Sequence, residues 1–161
     1  MSIAIRPATP VDAALLVEFI LALADYEKLL HEAEPDAERL QADLAQGRIH
    51  ALIAEDTAAD RTVGFALYFY NYSTFLTRRG IYLEDLFVRP DDRGRGAGFA
   101  LLRHLAGIAV DEGCGRLEWS VLDWNAPSIR FYKQLGAVPM DEWTTMRVTG
   151  DALQHLGTMT P

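Results

Sequence analysis

The chain has 161 residues, half of them apolar and 24% charged, which is the composition of a globular protein able to bury a sizeable core. Its formal net charge of −8 lies in the first 60 residues, which hold twelve acidic and four basic side chains. Nucleic-acid binding needs a basic surface, so this balance argues against it. It favours a cationic partner, unless the acidic residues only solvate helix faces.

The sequence also limits location and chemistry. The N-terminal residues show no basic region followed by an apolar stretch, so we expect no signal peptide. The longest charge-free run, 62–77, is too short and too polar to span a bilayer, so we expect no membrane contact. The single cysteine, Cys114, rules out an internal disulfide, which fits a cytoplasmic protein. The four histidines lack the spacing of metal ligands, so we expect no metal.

Apolar periodicity and turn residues predict the elements in chain order. The first helix begins near Pro10, with Thr9 or Asp12 as its cap. Its apolar stripe comprises Leu15, Leu16, Phe19, Ile20 and Leu23. The expected strands cover 3–6, 49–55, 63–72, 80–88, 117–122 and 142–148. The further helices cover 35–46, 94–112 and 126–135.

These elements predict one domain over 1–161, since no repeat or linker interrupts the chain. Strands joined as hairpins come first, and a strand–helix–strand crossover follows them. This order implies an α/β fold of the mixed α+β kind, with a mixed sheet covered by helices on both faces.

A glycine-rich turn follows the strand that ends at Val88. Strand, glycine turn and helix form the arrangement that directs backbone N–H groups at a phosphate. Gly94, Gly96 and Gly98 permit positive φ and close backbone approach to a ligand. The spacing fits neither a Rossmann fingerprint nor a Walker A loop. A tight turn without a ligand remains the alternative for the glycines alone.

The run Arg93-x-x-Gly96-x-Gly98 after an apolar strand resembles the acetyl-CoA signature of the GNAT family of N-acetyltransferases. The resemblance covers nearly the whole chain, and the runs 82–85, 124–125 and 131–137 look like the diamine (spermidine/spermine) acetyltransferase branch. Within that branch, 26–29 and 121–125 resemble the thialysine subgroup, whereas 128–132 resembles the polyamine subgroup. The resemblance implies a GNAT fold with a mostly antiparallel sheet, and a homodimer.

The resemblance also implies transfer of acetyl from acetyl-CoA to a primary amine of a small cationic molecule. A bulge at Glu84 would splay this strand from its neighbour and admit the cofactor. The residues that resemble the family's acetyl-CoA site are Leu86, Phe87, Val88, Arg93, Gly94, Arg95, Gly96, Ala97, Gly98, Phe99, Asn125, Ser128 and Tyr132. Asn125 is also a good N-cap for the helix that follows it.

Glu84 is the candidate base, because it lies in an apolar strand where burial and the charge of Asp85 would favour its protonated form. The alternative is that Glu84 only contacts a basic side chain across the sheet and has no catalytic role. Tyr132 is the candidate acid for the leaving thiolate, by resemblance, and would otherwise be a core aromatic residue. Asp85 is expected to be structural or to contact the amine.

The candidate amine site lies at the end of the first helix. Tyr26 and Glu27 resemble residues that line the amine pocket in this branch, and a solvated helix end is the alternative. Weaker candidates are Glu118, Trp119 and Glu142. Two other functions stay open: a non-catalytic acyl-CoA-binding sensor, and an acetyltransferase that acts on a protein amine.

Overall fold

The computed structural model describes residues 2–160, and the chain divides into two compact units, 1–122 and 123–161. The strands β1–β5 are Ile3–Pro7, His50–Asp56, Arg61–Ser73, Arg78–Val88 and Leu117–Trp119. The helices α1–α5 are Ala13–Tyr26, Ala37–Ala45, Ala97–Asp111, Ala126–Gln134 and Gly150–Thr158. Short 3-10 turns cover Pro10–Asp12, Leu30–Glu32 and Pro90–Asp92.

All five strands form one sheet in the order β1-β2-β3-β4-β5. The first four are antiparallel to their neighbours, whereas β5 runs parallel to β4. This confirms the expected mixed, mostly antiparallel sheet. The last strand of the sheet is shorter than the expected 117–122, because its pairing with β4 covers only Leu117–Trp119.

Helices cover both faces of the sheet, as expected. On one face, α1 packs Phe19 against Phe65, with ring centroids 5.3 Å apart, in a core that also includes Ile53. Leu52 and Ala66 are buried as well, and strand alternation directs them to the opposite face. There α3 contacts β1 to β4.

A β-bulge interrupts β4 at Glu84. Tyr68 of β3 pairs with Leu83 and Leu67 pairs with Asp85, so Glu84 is the extra residue. The expected bulge is therefore confirmed. Because successive residues of a regular strand face opposite ways, one inserted residue brings Glu84 and Asp85 towards a common side.

The bulge also changes which backbone groups of β4 face β5. Before it, the Ile81 N–H donates to the Arg116 carbonyl next to β5, at 3.0 Å. After it, the Arg89 N–H donates to Val63 of β3, at 2.8 Å. Ile81 and Arg89 are both odd-numbered and would face the same neighbour in a regular strand. The bulge therefore reverses which residues face β3: even-numbered ones before it and odd-numbered ones after it. Leu86 and Val88 consequently direct their backbone groups away from β3.

The two strands part where this reversal occurs. The pairing of β5 with β4 ends at Leu83, and β4 continues to Val88. The backbone of Phe87 faces β3, where a Cβ on Gly64 would collide with its carbonyl oxygen. The splayed strands expected at the cofactor site are thus present, with Leu86 and Val88 on the open side.

The unit 123–161 differs most from the sequence prediction. The strand expected over 142–148 is wrong, because the described residues 135–149 form no strand. Local alternation cannot provide the paired neighbour that a strand needs. The helix α5, Gly150–Thr158, was not predicted, although Leu153 and Leu156 have helical spacing. Glycines near both ends weaken its helical pattern.

Candidate active site

The glycine turn leads into α3 and shapes its N-terminus. Gly94 and Gly96 have φ values of +72° and +91°, which side chains other than glycine rarely adopt. The helix predicted from Gly94 therefore begins at Ala97, with Gly96 as its N-cap. The Ala100 N–H donates to the Gly96 carbonyl at 2.9 Å. The N–H groups of 97–99 precede this first intrahelical bond, so they are suited to bind an anion.

A buried ion pair fixes the chain just before this turn. The Asp92 carboxylate is fully buried and accepts hydrogen bonds from both terminal nitrogens of Arg61, one at 2.6 Å. The Arg61 guanidinium holds the pKa of Asp92 below its usual value. Sequence reasoning missed this pair, because nothing in a separation of 31 residues signals the contact.

Arg93, one of the expected cofactor-site residues, is held by three groups of the protein. Its Nε donates to the Val88 carbonyl at 2.9 Å. Its guanidinium carbon lies 4.3 Å from the centre of the Tyr26 ring and 5.6 Å from that of Phe87. Arg95, another expected cofactor-site residue, lies 4.0 Å from the Asp92 carboxylate. The start of the glycine turn is therefore joined to the end of α1.

A cleft of about 360 Å³ lies where α1 ends beside the bulge. Four of its lining residues are acidic: Glu27, Glu32, Glu84 and Asp85. The others are apolar: Ile20, Leu23, Ala24, Leu29 and Ala33. Sequence reasoning found three of the four acids but missed Glu32, which lies in the 3-10 turn Leu30–Glu32. Its only sequence signal was its position five residues after Glu27, which was already a candidate for the amine site.

The acids of the cleft differ in burial. Burial raises the pKa of Asp85 to about 7, helped by the charges of Glu84 and Glu27. Burial also raises the pKa of Glu27. Glu84, expected to be buried, is instead exposed, because the bulged residue projects into the open cleft. Such a cleft is suited to a cation, whose charge offsets the repulsion among the acids.

The remaining amine-site candidates are not among the residues that line the cleft. Tyr26 stacks with Arg93 and is not among the residues that line the cleft. Glu118 binds Arg116 at 2.7 Å and accepts a hydrogen bond from Asn71 at 3.3 Å. Trp119 is the last residue of β5. Glu142 is exposed in the irregular segment between α4 and α5.

The second unit contains the last three cofactor-site candidates. Asn125 is the N-cap of α4, and its side chain accepts a hydrogen bond from the Ser128 N–H at 3.4 Å. The expected capping role of Asn125 is confirmed. Tyr132 lies one helical turn after Ser128, so these two side chains share a face of α4. The Tyr132 ring centroid is 5.6 Å from that of Phe131.

The described residues 2–160 offer neither a metal site nor a membrane-spanning helix. No cluster of three or more His, Cys, Asp and Glu side chains in that range could hold a metal ion. Within the same range, every helix is too short or too polar to cross a membrane.

The chain is similar to known acetyltransferases over nearly its whole length. Residues 18–137 match the model of the acetyltransferase (GNAT) family. The chain is 37% identical to a thialysine N-epsilon-acetyltransferase of Sus scrofa over 166 aligned positions, covering 96% of this chain and 97% of that protein. An L-ornithine N5-acetyltransferase of Arabidopsis thaliana is 50% identical over 93 residues, which are 58% of this chain and 41% of the relative.

A solved structure, an integron cassette protein of V. cholerae, shares the fold with a TM-score of 0.81 and 28% identity over 99% of both chains. The glycine turn, the splayed strands and the acidic cleft thus occur in a chain that matches one family along most of its length. The chain belongs to the GNAT family and is an N-acetyltransferase that transfers acetyl from acetyl-CoA to an amine.

Proposed function

We propose that the acceptor is a small molecule with a primary amine and further positive charge, of the thialysine, diamine or polyamine class. The acidic cleft carries this proposal, since four carboxylates line a volume of about 360 Å³. Such a volume can hold an alkyl amine chain. The names of the relatives support the same class: one is a thialysine acetyltransferase, and another is a spermidine/spermine acetyltransferase-like protein of Homo sapiens.

The amine must lose a proton before it can attack. An alkyl ammonium with a pKa near 10.4 is deprotonated in about one molecule in 2,500 at pH 7, which corresponds to roughly 4.6 kcal/mol. Glu84 is the proposed base, acting directly or through water, since it lines the cleft at the bulge. Asp85 and Glu27 are proposed to bind the ammonium groups of the substrate.

The cofactor is proposed to lie along the open side of β4. The backbone groups of Leu86 and the N–H of Val88 would bind the pantetheine arm, because they point away from β3. The N–H groups of 97–99 would bind the pyrophosphate at the α3 N-terminus. Tyr132 is proposed to protonate the departing thiolate, with Asn125 and Ser128 as further contacts of the arm.

The assembly and location are also proposals. Residues 1–161 are proposed to act as one acetyltransferase domain, since the family match runs without a break from 18 to 137. We propose a cytoplasmic homodimer.

A panel of amines tests the proposed function by release of CoA from acetyl-CoA. We expect turnover of at least one of thialysine, putrescine and spermidine, and at least tenfold lower kcat/KM for a monoamine of similar length, which has no further positive charge. Binding of acetyl-CoA without turnover of any amine would favour the sensor. Acetylation of a lysine-containing peptide in preference to all the small amines would favour a protein substrate.

We expect Glu84→Gln to move the rate optimum to higher pH, because the reaction then depends on the small fraction of amine already deprotonated in solution. The pH profile of kcat/KM for the best amine measures this shift. Glu32→Gln is the matched control: it removes one charge from the same cleft and is expected to raise KM without moving the optimum. An unmoved optimum for Glu84→Gln would contradict its role as base.

A further inference from the structure

The cofactor turn and the amine cleft share one physical connection. Arg93 opens the glycine turn, and its guanidinium carbon lies 4.3 Å from the centre of the Tyr26 ring. Tyr26 is the last residue of α1, and the next residue, Glu27, lines the cleft. Nε of Arg93 donates to the Val88 carbonyl, so the guanidinium is held by two groups of the protein.

We propose that the stack of Arg93 on Tyr26 couples the two substrate sites, so that CoA bound at the glycine turn orders the end of α1 that carries Glu27. Arg93 and Tyr26 are positioning residues in this account. The inference rests on the proposed binding of CoA at the turn.

The coupling follows because Arg93 and Tyr26 each restrict the motion of the other side chain. An arginine side chain loses considerable rotamer freedom when it is fixed. The Tyr26 ring and the Val88 carbonyl hold the guanidinium before a phosphate arrives, which reduces that loss on binding. A phosphate that fixes Arg93 in turn restricts Tyr26, and linkage makes the effect equal in both directions.

The chain just after Tyr26 is a segment that such restriction can affect. Lys28 has a φ of +61°, in the left-handed region that residues with side chains rarely adopt. The N–H groups of Lys28 and Leu29 donate to Asp25 and Ala24, at 3.0 and 2.8 Å, as α1 ends. These two amides report the order of the helix end, because their exchange with solvent requires these hydrogen bonds to open.

CoA itself is the probe, since it binds without turnover. Calorimetric titration of the full chain should give a CoA dissociation constant about fivefold weaker for Tyr26→Leu than for the wild type. Tyr26→Phe keeps the ring and should stay within about twofold. Glu27→Gln changes the charge of the cleft, leaves the stack in place, and should also stay within about twofold.

Hydrogen–deuterium exchange adds a readout that a merely structural role would not move. Saturating CoA should slow exchange over 27–29 in the wild type and in Tyr26→Phe, and leave it unchanged in Tyr26→Leu. Arg93→Lys keeps the charge without the planar stack, and should likewise lose this response even if Tyr26→Leu fails to fold.

The two proposals fail in different ways. Wild-type protein that binds CoA without slower exchange over 27–29 would overturn the coupling alone. Equal CoA affinity in Tyr26→Leu and the wild type would do the same. Wild-type protein that does not bind CoA would overturn the proposed function, and the coupling with it.

Discussion

The Tyr132→Phe enzyme is expected to turn over about 100-fold more slowly at pH 7, with its CoA dissociation constant within about twofold of the wild type. The phenol is proposed to protonate the departing thiolate, and a phenyl ring cannot. A thiol has a pKa near 8.5, so the thiolate needs this proton less as the pH rises. The ratio of wild-type to variant kcat should therefore shrink between pH 7 and pH 9.5.

Steady-state kinetics at both pH values and calorimetric CoA titration measure these effects. Tyr72→Phe is the matched control, because it removes a hydroxyl from an exposed ring on β3. It should leave kcat, KM and CoA affinity unchanged. A wild-type kcat in Tyr132→Phe would remove Tyr132 from the mechanism.

Replacement of Asp85 is expected to have a large effect on stability, because folding places this carboxyl among other acids. Its pKa is about 7 in the folded chain, against about 3.9 for an unfolded aspartate. The folded state therefore holds this proton more tightly, and stability falls as the pH rises from about 4 through 7. Asp85→Asn should raise the free energy of unfolding by on the order of 2–4 kcal/mol at pH 8, and by about 1 kcal/mol at pH 5.

Urea unfolding at the two pH values measures the gain, and amine kinetics should show a loss of activity in the same variant. Asp25→Asn is the control, since Asp25 is exposed on the same helix that leads to Glu27. It should change stability by less than about 0.5 kcal/mol at either pH. Equal gains for Asp85→Asn at pH 5 and pH 8 would contradict the account.

Local patterns predicted the parts of the fold that depend on neighbouring residues. Apolar alternation identified β1 to β4, and the glycine spacing identified the turn into α3. The expectation of a bulge at Glu84 came from the resemblance and not from the residues alone. The prediction placed the start of α3 at Gly94. The helix begins three residues later, at Ala97, because Gly94 and Gly96 have positive φ.

Long-range contacts explain the rest. The run 142–148 alternates like a strand, but alternation does not show whether a partner strand is present. Asp92 reads as an ordinary polar turn residue, and only the folded chain brings Arg61 to it. Which of Glu84 and Asp85 is buried depends on how the bulge rotates the backbone. Because Glu84 and Asp85 are adjacent and carry the same charge, the sequence alone does not show which of them is buried.

The extra residue in β4, Glu84, changes which residues of the strand face each of its two sides. Without it, the odd-numbered positions that face β5 before Glu84 would keep that direction up to Val88. The backbone groups of Leu86 and Val88 would then pair with β3, and Phe87 would turn its ring from the α1 face of the sheet to the α3 face. One added residue thus lets a single strand pair with β5 along its first half and leave the backbone groups of Leu86 and Val88 directed away from β3 along its second half.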